Sequence, residues 1–252
     1  MSAKLQIASM APLLAGVFAG GLLQGFTGFG FALAAVPLIS LFLPPTQVLP
    51  YVMALQAALG LASLPGAWSR CHWRLLGWLT LGVAAGTPVG LWAIAALSPA
   101  AGRLGVGLAV LTAFAVLATG ARIPMRRSRL AATGAGVAAG VMNGLAGMSG
   151  PPAVALVVAA EMKAEEARAT LMVFVFGAAL AALAPMGLAG ELSPRMAMPL
   201  LAALPALGVS WLLGSALFRR TSEARHRQVA LGVLGLLALA TIVRAAIELL
   251  GR

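Results

Sequence analysis

The chain has 252 residues, 61% of them hydrophobic and only 9% charged, where a soluble domain carries roughly 25% charged residues. With a mean hydropathy of +1.00 it reads as an integral membrane protein with no length to spare for a soluble domain. The formal charge of +11 does not indicate a nucleic-acid partner, because the 17 basic residues cluster in short segments between apolar runs, as topology determinants do.

The apolar runs suit helices, which need about 20 residues per span, and lack the alternation of an outer-membrane barrel. In chain order the predicted membrane segments are 5–23, 29–43, 46–65, 75–97, 101–120, 130–143, 150–160, 168–187, 196–217 and 228–249. The second and seventh are short for a full crossing. Each is expected to form a hairpin with its predecessor, dipping in and returning. Pro44-Pro45, Pro65-Gly66, Ser98-Pro99 and Ser193-Pro194 punctuate segment ends. Pro37, Pro88 and Pro205 fall inside apolar runs, where proline breaks or kinks a helix. Lys4, the apolar run after it and small residues near Ala19 resemble a signal peptide. The same run leads into a motif with a counterpart in the second half, so it is expected to belong to the mature fold. The single Cys71 has no internal partner and no metal-ligand spacing around it.

That motif is Gln24-Gly-Phe-Thr-Gly-Phe-Gly30, and its altered copy is Asn143-Gly-Leu-Ala-Gly-Met-Ser-Gly150. The halves match without gaps at a shift of 119: Gly21 with Gly140, Gln24 with Asn143, Gly25 with Gly144, Gly28 with Gly147, Met53 with Met172, Leu64 with Leu183 and Trp92 with Trp211. The pattern predicts internal repeats over 5–120 and 130–249, joined by a basic cytoplasmic loop at 121–129 within one membrane domain. Transporters are commonly built this way, with the site at the repeat interface.

Charge orients the halves. If each motif joins two short helices that leave and return, the second half is upside down. Arg70, Arg74, Arg122, Arg126, Arg127, Arg129, Lys163, Arg168, Arg219, Arg220, Arg225 and Arg227 are then cytoplasmic, 12 against 5 outside (Lys4, Arg103, Arg195, Arg244, Arg252). If each motif breaks one span, the halves are parallel and the division is 10 against 7. The positive-inside rule favours the first arrangement, with both termini outside. The expected fold class is therefore an all-α polytopic membrane protein of two inverted repeats, each a broken-helix hairpin plus three transmembrane helices.

A helix that restarts after a break exposes unpaired N–H groups carrying about +0.5 charge. Such an end binds anions without a side-chain cation. Glycine lets backbone approach closely, Thr27 and Ser149 can donate hydroxyl hydrogen bonds, and Gln24 and Asn143 can donate from their amides. The expected substrate site comprises Gln24, Gly25, Thr27, Gly28, Gly30, Asn143, Gly144, Gly147, Ser149 and Gly150. Glycine strings also serve close helix packing, and that reading is preferred for the pairs Gly16/Gly20, Gly82/Gly86 and Gly86/Gly90. Gln56 and Thr87, inside spans, read as interhelical hydrogen-bonding groups ahead of path-lining ones, and Trp92 and Trp211 as packing or interface anchors. There is no Asp; the six glutamates and both histidines, His72 and His226, fall in loops or at segment edges. No intramembrane proton relay, metal site or cofactor is expected.

In these two motifs the chain resembles the sulfite exporter TauE/SafE family, also called the toluenesulfonate uptake permease family. The carrying residues are Gly20-Gly-Leu-Leu-Gln-Gly-Phe-Thr-Gly-Phe-Gly30 leading to Pro37, and Gly140-Val-Met-Asn-Gly-Leu-Ala-Gly-Met-Ser-Gly-Pro-Pro152. The resemblance implies a multi-pass transporter of the bacterial inner membrane for sulfite, sulfoacetate, other sulfonates, thiosulfate or another small organic acid. Its partners would be the small anionic substrate and the lipid bilayer, with a homodimer left open. Ala146 stands where the first copy has Thr27, so the two halves of the site differ. Two rival readings exist. Gly147-Met-Ser-Gly150 fits the Gly-x-Ser-Gly string of rhomboid intramembrane proteases, but a serine nucleophile needs a base within hydrogen-bond reach. No such base is in a predicted span, so no enzyme is expected. An anion channel or a non-transporting subunit is the other rival to a secondary-type transporter.

Overall fold

A computed structural model describes residues 3–27, 29–119, 129–160 and 162–220, with isolated helical positions between 232 and 247. Nine helices fill the described chain: α1 (Ala3–Thr27), α2 (Phe31–Ser40), α3 (Pro45–Ala67), α4 (Trp73–Ala96), α5 (Pro99–Thr119), α6 (Arg129–Ala146), α7 (Gly150–Ala159), α8 (Ala164–Leu188) and α9 (Ala197–Arg220). Single 3-10 turns lie at Trp68–Arg70 and Pro194–Met196, and there is no strand among the described residues. The expected linker up to residue 128, most of segment 228–249, Glu161, Glu223, Glu248 and His226 lie outside the described residues.

Helix is the only local answer for such a sequence. In lipid every backbone N–H and C=O must be paired within the protein, and a helix does this segment by segment. Among the described residues, four stretches are long and apolar enough to cross a membrane: Pro45–Arg70, Trp73–Ala96, Glu165–Leu188 and Pro194–Leu217. Helices α2 and α7 have 10 residues each. At 1.5 Å per residue each is about 15 Å long, half of a ~30 Å hydrocarbon core. Neither can cross alone.

Two expectations narrow. Of the break or kink expected at Pro37, Pro88 and Pro205, the break does not occur; α2, α4 and α9 continue through them. Packed neighbours in a membrane bundle can re-pair the carbonyls that proline frees. The motifs, too, are only partly unwound. Helix α1 runs through Thr27 and α6 through Ala146, so Gln24–Thr27 and Asn143–Ala146 are the last helical turns. Among the described residues the breaks are confined to 29–30 and 147–149. Their edges recur at the shift read in the sequence: Thr27 and Ala146 close a helix, Phe31 and Gly150 open one, and Ser40 and Ala159 close it again.

Glycine sets the main packing. Helix α1 lies along α9, and α6 lies along α4. On the first pair, a Cβ added at Gly21 would strike Ser210, one at Gly25 the Trp211 carbonyl, and one at Gly214 the Leu22 carbonyl. On the second, Gly82, Gly86 and Gly90 face the carbonyls of Thr133, Val137 and Val141, while Gly136, Gly140 and Gly144 face those of Leu79, Val83 and Thr87. Backbones this close gain dispersion contacts where lipid offers no hydrophobic driving force. Helix α3 packs on α8, and α2 is tucked between α1 and α3. Every residue of α2 except Leu38 is buried.

This geometry separates two substitutions on one helix. An added Cβ at Gly140 would lie 2.7 Å from the Val83 carbonyl oxygen and 2.8 Å from the Thr87 nitrogen, while Gly134 has open space. Gly140→Ala is expected to destabilise by about 1–3 kcal/mol through overpacking. Gly134→Ala is expected to be neutral or to gain up to about 1 kcal/mol of helix propensity. Unfolding of both variants in one detergent checks the contrast.

Candidate substrate site between the two helix breaks

The breaks meet. The ring of Phe29, in the first, is 3.1 Å from where a Cβ on Gly150 would stand. Gly147, in the second, packs against Val36 of α2 and Met53 of α3. Between them is a cavity lined by Gly30, Ala32, Leu33, Gln56, Gly147, Met148, Ser149, Gly150 and Val175. Its volume is about 10 Å³ for a water-sized sphere, room for about one water. An oxyanion of four or more heavy atoms needs a wider opening.

Backbone conformation explains the glycines at the breaks. Gly30 caps α2 with φ 111° and ψ 7°, and Gly147 follows α6 with φ 71°. An L side chain in the left-handed region costs roughly 1–2 kcal/mol. The Gly147 N–H donates to the Asn143 carbonyl at 2.7 Å and the Met148 N–H to the Met142 carbonyl at 3.2 Å, which turns the chain back onto the end of α6.

The two amides, matched in sequence, do different work. Gln24 Oε1 accepts from the Phe31 N–H at 3.0 Å, bridging its own break and occupying the first donor of α2. Asn143, one methylene shorter, turns away. Its Nδ2 donates to the Ala178 carbonyl at 2.8 Å and to Thr87 Oγ1 at 3.4 Å. Its Oδ1 is buried without a partner, so Gly150 has no cap like that of Phe31. The helix starts differ as well. After Gly150, α7 continues with Pro151 and Pro152, which have no N–H to offer. Most first-turn donors near the cavity therefore belong to α2, where Ala32 and Leu33 line the wall.

Of the ten residues expected from sequence, Gly30, Gly147, Ser149 and Gly150 line the cavity. Gln24 and Asn143 are buried in the adjoining helix ends. Gly25 and Gly144 face α9 and α4 and serve the packing described above. Gly28 and the side chain of Thr27 lie outside the described residues. Thr87 makes the interhelical bond expected of it, but Gln56 does not: its Nε2 is buried without a partner at the cavity wall. Val175 and Met148 also line the cavity and carried no signal in the sequence.

One cation, placed by sequence only as an outside charge, has a contact that the sequence did not announce. Arg103 of α5 is 7% exposed, and its Nε donates to the Ser40 carbonyl at 2.6 Å. A cation there complements the negative end of the α2 dipole. The other short helix also ends near positive charge. The chain just beyond α7, at Ala160, borders a hollow of about 640 Å³ lined by His72, Arg74, Trp78, Arg129, Lys163 and Glu166, among others. Arg129 lies 5.4 Å from the Trp78 ring centroid, within cation–π range. His72 is an exposed cap whose Nδ1 accepts from the Leu75 N–H at 3.2 Å. A neighbouring hollow of about 570 Å³ includes Arg70, Glu165, Arg168 and Trp211.

Membrane-length helices around two helix breaks that meet, with a small cavity between them, are the construction of a membrane transport protein. Comparison with known proteins gives the family. The profile of the sulfite exporter TauE/SafE family matches residues 13–241, and the chain belongs to that family of transporters. It is similar to the probable sulfite/organosulfonate exporter TauE of Cupriavidus necator, with 28% identity over 226 residues that cover 86% of this chain and 87% of that one. No solved structure matches it.

The unequal roles of the amides can be measured. Gln24→Leu would leave the buried Phe31 N–H without its acceptor, which costs about 1–3 kcal/mol. Asn143→Leu loses two donated bonds but also removes an orphaned acceptor, so its net cost is expected below about 1 kcal/mol. Thermal unfolding of the two variants tests this order, and equal losses would contradict it.

Proposed function

We propose that this protein carries a small sulfur-containing anion (sulfite, a sulfonate such as sulfoacetate, or thiosulfate) across the bacterial inner membrane, binding it near the midplane between the two helix breaks. The observation that carries this reading is the cavity to which both breaks contribute, in a member of the TauE/SafE family. Donors come from first-turn N–H groups beside Ala32, Leu33 and Gly150 and from the Ser149 hydroxyl. None is a full charge. A helix terminus contributes at most about 2 kcal/mol per interaction when partly buried, so the anion is held and can still be released. The name of the C. necator relative supports the substrate class.

The reading includes inverted repeats over 5–120 and 130–249 and a multi-pass topology. It is supported by the recurrence of helix edges at the sequence shift and by the exchange of partners, α1 with α9 and α6 with α4. The arginine-lined hollows would then open to the cytoplasm and concentrate anions at that mouth. A cavity of about 10 Å³ favours a carrier that must rearrange over a channel-like facilitator with an open pore. A serine hydrolase is disfavoured because no described His, Asp or Glu lines the cavity with Ser149.

Two outcomes are expected. On purified protein, sulfite, thiosulfate or a sulfonate raises the unfolding temperature while carboxylate controls do not. Ligand at a hundred times its Kd stabilises by about 2.7 kcal/mol. No shift with any sulfur anion, together with no saturable flux in liposomes, would remove the substrate assignment. For topology, a reporter active only outside the cytoplasm is expected to work when fused after Arg252 and to be silent when inserted after Met125. A silent fusion at Arg252 would replace inverted repeats with parallel ones.

A further inference from the structure

Among the described residues that line the cavity, one buried side-chain donor has no partner. Gln56 belongs to α3, is 2% exposed and lines the cavity, and its Nε2 has no hydrogen-bond partner. Buried polar groups in native proteins are nearly always paired, and an exception calls for an explanation. Structural demand does not supply one, because an apolar side chain of the same length would fill the space without an orphaned donor. The residue 119 positions on is Val175, in α8, and it lines the same cavity. The two halves thus place an amide and an isopropyl group at corresponding positions around one space. The rest of the lining is mixed, with the Ser149 hydroxyl and glycine backbone on one count and Ala32, Leu33 and Met148 on the other.

Resting on the substrate site described above, we propose that Gln56 and Val175 are its specificity-determining pair. The Gln56 amide donates to an oxygen of the bound oxyanion, and Val175 takes the apolar remainder of the substrate. An amide donor suits this task. It stays neutral across the physiological range, so it discriminates by hydrogen bonding and adds no charge that would trap the anion. The unlike pair fits an anion with one polar and one apolar end better than one bearing oxygens on every side.

The test uses the full chain in detergent with two probes, sulfite and ethanesulfonate, and measures Kd and the unfolding temperature without ligand. Gln56→Met keeps the side-chain length and removes the donor. It is expected to unfold at the same temperature as the wild type or higher, and to bind both probes at least about tenfold more weakly, the lower end for a hydrogen bond to a charged group. A smaller loss of affinity overturns the role of Gln56. Val175→Gln is expected to shift the ethanesulfonate-to-sulfite preference at least threefold towards sulfite, and any lesser shift overturns the role of Val175. If the wild type binds neither probe, the substrate reading fails with the pair. If it binds and the variants bind alike, the pair fails alone.

Discussion

Backbone in a bilayer has no water to pair with, so each departure from helix must be closed by the protein. The two breaks meet this demand by different means. In the first, the Gln24 side chain reaches across to the Phe31 N–H. In the second, the Gly147 and Met148 N–H groups turn back onto α6, and prolines at 151 and 152 remove two donors outright. Each solution leaves a few groups over, and these face a common space. The proposed chemistry follows from that remainder: the only polar atoms on offer there are those that local structure has not consumed.

Close approach is what brings the remainders together. Glycines on α1 and α9, and again on α4 and α6, let the helix backbones touch. Those contacts hold the helix ends from which the breaks depart. The far end of α2 is held as well, by Arg103 on the Ser40 carbonyl. A helix gripped at both ends fixes its start, which a loop site of the same residues could not do. The grip also explains why Gly25 and Gly144 belong with the scaffold. They occur within the motif strings, but they lie a turn before the breaks, on faces where only a hydrogen atom fits.

Much of this was readable from the chain. Apolar run length gave the helices, and α7 was expected over 150–160 and spans Gly150–Ala159. The shift of 119 anticipated where the second break would fall. Other features escaped for definite reasons. The breaks begin later than the motifs because glutamine, asparagine and even glycine are tolerated in a last helical turn whose donors are already paired. The prolines at 37, 88 and 205 stay helical because packed neighbours in a membrane bundle can re-pair the carbonyls that proline frees. Which atom an amide satisfies is not in the string at all. Gln24 and Asn143 differ by one methylene, and that difference sends one to Phe31 and the other to Ala178. The contact from Arg103 to Ser40 joins residues 63 apart, with no periodicity to announce it.

The inequality of the halves has a consequence for transport. Two identical half-sites would present an anion with the same donors from both directions, and a symmetric ligand would suit them. Here α2 keeps N–H groups that α7 has lost to proline, and Gln56 faces the space that Val175 faces from the other half. If the repeats move as bodies about the cavity, the donor-rich half holds the anion while the donor-poor half parts from it. On the proposed reading, release then needs only a few weak contacts to break on the Val175 side, and those from Gln56 can stay intact until the path is open. In a carrier without a buried cation at its site, such a division of labour is a physical route to binding an anion firmly enough to select it and loosely enough to let it go.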